Sequence, residues 1–499
     1  MEVLTTAQMA RADQAAIAGG TSGFALMKNA GRAVAAIARR MAGSDGGRVV
    51  IAAGPGNNGG DGFVAATVLA ANGVPTSVVL LGDVGALKGD AALAVQAWQG
   101  PVRTPHEGMF SGCSLIVDAL FGAGLSREVD GEARALIEAM NASGVPVLAV
   151  DLPSGINGDT GAVMGAAVQA AETVTFFRKK PAHLLLPGRR HCGCVHVSDI
   201  GIDPDVLGDI KPLTFENAPS MWRGAFPRPE IGGHKYSRGH AVVVSGAIAS
   251  TGAARLAARG ALRAGAGLVT VASPSDALAV NAAALTAIMV REVPDADAFA
   301  AMLDDRRIGA CVIGPGGGVG EATAAMALAA VRAERGVVLD ADALTSFSAA
   351  PDRLFLELKF HMRAKVILTP HEGEFRRLFR MIGSKNLDHS KLALARLAAT
   401  RANAIVLFKG ADTVVAAPDG RATISANAPP WLATAGSGDV LAGFIAGLLA
   451  QGVDAFEAAS IGVWLHGEAA TEFGPGLIAE DLPEALPAVL RRLYAAFAA

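Results

Sequence analysis

The 499-residue chain predicts an α/β protein built from two three-layer αβα domains. Three observations carry this. Short β-branched runs alternate with longer amphipathic stretches, the signature of parallel strands joined by crossover helices. Most of those runs are apolar throughout, as strands covered on both faces must be. The alternation lapses once, near the middle, and then restarts.

Two helices, Thr6–Ala18 and Gly23–Met41, open the first half. Strands are predicted at Arg48–Ala53, Thr76–Leu81, Ser114–Leu120, Pro146–Val150, Thr173–Phe176 and Val195–Ser198. The stretch from Asp203 to Glu230 is rich in proline and lacks periodicity, so the domain boundary belongs there, between domains over 1–212 and 225–499. The second half has strands at Ala241–Val244, Leu268–Ala272, Thr286–Val290, Ala310–Ile313, Gly336–Leu339, Lys365–Leu368 and Ile405–Phe408, with helices at Thr251–Ala264 and Ser437–Leu449 among those between. Two shorter runs, Thr413–Ala416 and Ala422–Ser425, suit an antiparallel edge.

Composition narrows the function classes. A net charge of −3 without a basic stripe argues against nucleic acid as a partner. Four scattered cysteines, Cys113, Cys192, Cys194 and Cys311, form no disulfide framework and fit a reducing cytoplasm. Neither a signal peptide nor a membrane span is expected, and the expected assembly is a homo-oligomer.

The segment GPGNNGGDGF, Gly54 to Phe63, follows a strand and opens a helix, where open α/β sheets bind ligands. Gly54, Gly56, Gly59 and Gly60 would let backbone amides approach an anion. The segment also satisfies G-x-G-x-x-G, and Asp83 ends the next strand, as an ordinary dinucleotide loop requires. Asn57-Asn58-Gly59-Gly60-Asp61 goes beyond that fingerprint. Asp118 and Asp151 end two more strands and precede FGAGLSRE and the rest of DLPSGINGDTG. One such aspartate is explained as a turn cap; several converging loops with carboxylates favour a site. Asn58, Asp118 and Ser154 could offer hard oxygens to a cation.

Together with TVTFFRKKPAHLLLPG, these segments resemble the NAD(P)H-hydrate epimerase family over most of residues 1–210. The resemblance implies a Rossmann-like domain in which Asn57, Asn58, Gly59, Gly60 and Asp61, with Gly122, Ala123, Gly124, Leu125, Ser126, Arg127 and Glu128, hold the substrate. It implies potassium (K+) at Asn58, Asp118 and Ser154, and Asp151 facing the nicotinamide. The substrate carries a hydroxyl on C6 beside the ring nitrogen. That nitrogen can expel the hydroxyl, and water can re-attack from either face, so one carboxylate that gives and returns a proton is required. Asp151 is the candidate.

In the second half, GPGGGVG (Gly314 to Gly320) lies between a strand and a helix, and KGADT (Lys409 to Thr413) follows a strand without Walker spacing. Alone, Lys409 would read as a solvated lysine. In LATAGSGDVLAG, Gly436 and Gly438 bracket a turn and Asp439 opens a long apolar helix. Capping explains an aspartate there but not the small residues around it. The turn resembles the ribokinase superfamily, which implies a base acting on a hydroxyl beside a helix N-terminus that meets phosphoryl oxygens.

With SGAIASTGAARLAARGALRAGAGLVTV and TPHEGEF, residues 225–499 resemble the ADP-dependent NAD(P)H-hydrate dehydratases. This implies a ribokinase-like domain in which Gly252, Gly317, His371 and Asp439 contact the hydrate, and Lys409, Gly410, Ala411, Asp412, Thr413 and Gly438 contact the nucleotide. Mg2+ with ADP as co-substrate is implied too. His371 reads equally as a structural loop histidine. Tyr236 and Glu372 depart from the family pattern, which favours glycine and proline there. Phosphorylating the C6 hydroxyl would let it leave as phosphate. An epimerase fused to a dehydratase would recover both hands of NADHX and NADPHX.

Some signals are discounted. Cys192-Gly193-Cys194 with His191 and His196 lacks zinc spacing and reads as a strand edge. Arg178, Lys179 and Lys180 read as a solvated basic loop. Two rivals stand beside the repair reading: a small-molecule kinase in the second half, separable by an alcohol panel, and a first half that binds a nucleotide or RNA end without turnover. Asp118 and Asp151 argue against the latter.

Overall fold

A computed structural model describes residues 1–43, 47–383 and 390–498, which divide into two compact units, Met1–Thr214 and Phe215–Ala499. In the first, β1 (Val49–Ala53), β2 (Thr76–Leu80), β3 (Val102–Arg103), β4 (Leu115–Ala119), β5 (Val147–Val150), β6 (Glu172–Phe176) and β7 (Cys194–Ser198) form one sheet in the order β3-β2-β1-β4-β5-β6-β7. All its pairings are parallel. Alternate strand residues explain the apolar runs. Val49, Ile51 and Ala53 pack under the helices Thr6–Ala18, Gly23–Ala42 and Asn57–Ala71, while Val50, Ala52 and Ile116 pack under helix Gly131–Ala142.

The second unit's sheet contains β8 (Thr214–Glu216), β9 (His240–Val244), β10 (Leu268–Ser273), β11 (Met289–Glu292), β12 (Ile308–Ile313), β13 (Gly336–Leu339), β14 (Lys365–Leu368), β15 (Ile405–Phe408), β16 (Val414–Ala416) and β17 (Ala422–Ile424). The order is β11-β10-β9-β12-β13-β14-β15-β16-β17-β8, parallel from β11 to β15 and antiparallel from β15 to β17. Val243, Val271, Val312 and Val338 share a core with helices Thr251–Arg263, Ser437–Ala450 and Ala455–Phe473. Helix Glu321–Arg332 lies against β12 and β13, and Lys391–Ala402 against β15 and β16. Among the described residues no helix is long and apolar enough to cross a membrane.

Several expectations are corrected. The strand placed at Thr286–Val290 is Met289–Glu292; its register with β10 carries it into the polar pair Arg291 and Glu292, which an apolar criterion rejects. The antiparallel pair β16–β17 is not the edge, because β8 lies beyond it. That three-residue strand sits inside the stretch that showed no periodicity. Asp83 does not end β2, which stops at Leu80. It caps a short turn by accepting from Gly85 N at 2.8 Å.

Candidate active sites

The glycines after β1 are set by packing more than by a ligand. A Cβ on Gly54 would lie 2.0 Å from Leu120 O, one on Gly59 1.9 Å from Gly54 O, and one on Gly60 2.6 Å from Met27 Cε. These contacts seat the N-terminus of helix Asn57–Ala71 against the loop leaving β4. Of the four glycines credited with admitting an anion, only Gly56 faces open space.

A cavity of about 660 Å³ opens beside that helix, lined by Asn57, Asn58, Asp61, the Gly122–Arg127 loop and Asp151. Gly59, Gly60 and Glu128 are not part of its wall. Asp13, on helix Thr6–Ala18, was not anticipated there. Asp118 and Ser154 lie fully buried. Ser154 donates to Asp118 through N (2.8 Å) and Oγ (2.6 Å). Burial pushes the Asp118 carboxyl up to about 6 despite the bonds from Ser154 and Leu120.

Asp151 follows β5 with φ of 65°, a left-handed conformation that costs a non-glycine residue about 1–3 kcal/mol. Its Oδ1 accepts from Lys180 Nζ (2.6 Å) and Thr175 Oγ1 (3.0 Å), and its Oδ2 accepts from Ala123 N (3.0 Å). Lys180 is therefore no solvated lysine. It is 1% exposed, its ammonium held against Asp151, Thr175 and Phe176. Burial alone would raise the Asp151 carboxyl, but the charge and hydrogen bond of Lys180 hold it below its ordinary value. Asp61 goes the other way: burial, then Asp151 and Asp13, keep it well above the carboxylate range. The cavity wall thus sets carboxyls of opposite shift together, Asp151 lowered and Asp61 raised, with Asp13 pushed up by burial to about 6, the kind of separation acid–base chemistry uses.

The second site gathers at the carboxyl ends of β12 to β15. Gly314 (φ 120°) packs so tightly that a Cβ would meet Asp340 O at 1.8 Å, and one on Gly316 would meet Ser250 O at 2.6 Å. An added Cβ on Gly252 would meet nothing within 4 Å, and one on Gly317 makes only ordinary contacts. Both therefore present open backbone.

Lys409 Nζ donates to Asp340 Oδ1 at 2.7 Å and lies 3.9 Å from Glu374 Oε2. Neither carboxylate was singled out in the sequence. Against desolvation, they and Asp439 raise the Lys409 ammonium above its ordinary value. Asp439 lies in the first turn of helix Ser437–Ala450. Burial, then Asp340, push its carboxyl up to about 6, with Lys409 opposing. His466, buried and lowered by that burial to about 4, is neutral and bonds Ser437 O at 2.9 Å, steadying that turn.

His371 caps helix Glu372–Leu378, its Nδ1 accepting from Gly373 N at 2.9 Å. The cap accounts for Nδ1, and the side chain remains 54% exposed. Asp412 and Thr413 turn inward, Asp412 to Lys391 Nζ (2.7 Å) and Thr413 to Gly410 O (2.7 Å). Gly410 and Ala411 are the exposed part of that loop. The two departures sit in turns: Tyr236 in a short 3-10 turn and Glu372 at the first position of its helix. Among the described residues no group of His, Cys, Asp and Glu is arranged to hold a metal ion. Cys192 is buried and Cys194 starts the edge strand β7.

The sequence family described as YjeF-related protein N-terminus matches residues 23–182, and the family described as NAD(P)H-hydrate dehydratase matches residues 241–487. The bifunctional NAD(P)H-hydrate repair enzyme Nnr of Moorella thermoacetica is 36% identical over 522 residues, 99% of this chain and 97% of that protein. Its Escherichia coli counterpart is 34% identical over 469 residues, 92% of this chain and 88% of that one. The crystal structure of an ADP/ATP-dependent NAD(P)H-hydrate dehydratase from Bacillus subtilis, co-crystallized with ATP/Mg2+, is 27% identical, with 56% of this chain and 98% of that chain covered and a TM-score of 0.47.

Proposed function

Because the chain belongs to the family of bifunctional NAD(P)H-hydrate repair enzymes, we propose that its two sites divide one repair between them. The first unit interconverts the R and S hydrates at C6, and the second dehydrates the S form with ADP. The chain is accordingly an enzyme with an isomerase half and a lyase half. One observation carries the division of roles: each half sets an aspartate of shifted acidity, Asp151 or Asp439, at the carboxyl edge of a parallel sheet.

In the first unit, Asn57, Asn58 and the Gly122–Arg127 loop hold the hydrate. Asp61, whose carboxyl burial makes a weaker acid, gives the proton with which the C6 hydroxyl leaves as water, pushed by the ring nitrogen. Water then adds to either face of the iminium and Asp151, which is ionised, takes its proton. Return of that proton from Asp151 to Asp61 restores both groups.

Potassium fits the oxygens beside this cavity. Asp118 is buried with only neutral hydrogen-bond donors, and Asn58 Nδ2 is buried without a partner, so turning that amide over offers Oδ1 instead. Asn58, Asp118 and Ser154 would hold the ion, which would neutralise the buried charge and steady the loop after β4.

In the second unit, Gly252, Gly317 and His371 border the hydrate, and Asp439 takes the C6 hydroxyl proton as the phosphoryl group of ADP arrives. A carboxyl near 6 is largely ionised at neutral pH yet more basic than an ordinary aspartate. The N-terminal amides of helix Ser437–Ala450, with Lys409, meet the phosphoryl oxygens. Gly410, Ala411 and Gly438 meet the nucleotide through backbone. AMP departs in that transfer; phosphate then leaves C6 with the ring nitrogen's push, and loss of a proton from C5 to water gives NAD(P)H. Magnesium brought with the nucleotide would supply charge neutralisation at the phosphates, and Asp340 and Glu374, beside Lys409, would offer it hard oxygens.

The test is to incubate the protein with mixed hydrate epimers and ADP. Complete recovery of the reduced-nicotinamide absorbance is expected. Recovery that stops at the S fraction removes the epimerase reading, and no ADP-dependent recovery removes the dehydratase reading.

A further inference from the structure

We propose that Lys180 and His183 act as one clamp that positions Asp151, holding Oδ1 and the backbone so that only Oδ2 serves the cavity. The proposal rests on the reading of Asp151 as proton acceptor. An ammonium has three N–H groups, and those of Lys180 find three acceptors: Asp151 Oδ1 at 2.6 Å, Thr175 Oγ1 at 2.9 Å and Phe176 O at 3.5 Å. Thr175 Oγ1, accepting from the ammonium, donates its own proton to Asp151 Oδ1 at 3.0 Å. Oδ1 is thus committed to the interior. Among the described residues Oδ2 is held only by Ala123 N at 3.0 Å, on the loop that lines the cavity.

His183 fixes the other end. Its Nδ1 accepts from Lys180 N at 2.8 Å, which puts the ring proton on Nε2, 2.9 Å from Asp151 O. Burial lowers this histidine to about 4, so it is a neutral donor to the Asp151 carbonyl. Asp151 N meanwhile donates to Val174 O at 2.7 Å. Backbone donor, backbone acceptor and one carboxylate oxygen are all bound, which is what keeps a non-glycine residue at φ 65°. A buried ion pair is a poor route to stability, since apolar residues of similar volume serve as well or better. In the wall of a cavity, its use is to fix a geometry.

Epimerisation and ADP-dependent dehydration of purified S hydrate are measured in the full chain carrying Lys180→Met, beside Asp151→Asn. Misplacing a reacting group by about 1 Å costs about 100-fold. The clamp therefore predicts that Lys180→Met lowers kcat of epimerisation about 100-fold, with KM within about threefold and dehydration unchanged. Wild-type kcat in Lys180→Met beside an inactive Asp151→Asn overturns the clamp while the Asp151 reading stands. Full activity in both overturns the Asp151 reading and the clamp with it. If Lys180→Met does not fold, the near-isosteric Thr175→Val decides: a roughly tenfold lower kcat at unchanged KM supports the clamp, and wild-type kcat overturns it.

Discussion

Lys409 Nζ lies 2.7 Å from Asp340 Oδ1, so the lysine of the β15 loop is paired within the protein itself. The same Asp340 is the neighbour that most strongly raises Asp439 after burial. Asp340→Asn removes a negative charge and leaves Lys409 freer to stabilise the Asp439 carboxylate. Wild-type dehydration should rise with pH through about 6, where Asp439 ionises. In Asp340→Asn that limb should move to lower pH. A pH–kcat profile checks this, and an unmoved limb would show that Asp439 is not the titrating base.

Asp439→Asn keeps the shape of the turn and loses the base. Dehydration with ADP should fall by about 100-fold or more, general-base catalysis being worth about that much. Epimerisation by the other half should persist, as followed by chromatographic separation of the epimers.

Asp151→Asn should do the reverse. Interconversion of the epimers is abolished, and conversion of pure S hydrate with ADP continues at the wild-type rate. Epimer exchange that survives the substitution would remove Asp151 from the chemistry.

A potassium ion beside Asp118 should stabilise the first unit. At a concentration about 100 times its Kd, a ligand that binds only the folded state adds about 2.7 kcal/mol. Replacing potassium with tetramethylammonium should lower that unit's unfolding temperature. In Asp118→Asn the two salts should give the same temperature by calorimetry.

Gly59→Ala tests the packing argument for the first glycine-rich loop. Its Cβ would stand 1.9 Å from Gly54 O, a backbone atom that cannot swing aside. The variant should lose about 1–3 kcal/mol by denaturant unfolding. Gly56→Ala, with open space at its Cβ, should lose little.

Much of the architecture was legible in the chain. Strands such as Gly336–Leu339, Lys365–Leu368 and Ile405–Phe408 were located to the residue, since a short apolar run between turn signals is a local pattern. Two edge strands escaped, Val102–Arg103 and Thr214–Glu216, which are too short for a period to develop, and a third, Met289–Glu292, was displaced because it is half polar. Lys180 escaped for a different reason. It stands in a basic run that reads as surface, and only the fold of the chain after β6 buries it against Asp151. The adjoining TVTF strand and the following Pro181 were the available hints that the run bends back towards the sheet edge.

The sequence by itself determined the two sheets, the family and the loops that border each site, because side-chain period, turn residues and motif order are properties of neighbouring residues. Tertiary structure alone decided which way each carboxyl's acidity shifts. Asp61 and Asp151 share one cavity wall, yet burial beside other acids raises the first while Lys180 lowers the second. Acidity depends on desolvation and on charges a few ångströms away in space, and neither is written in the order of the residues.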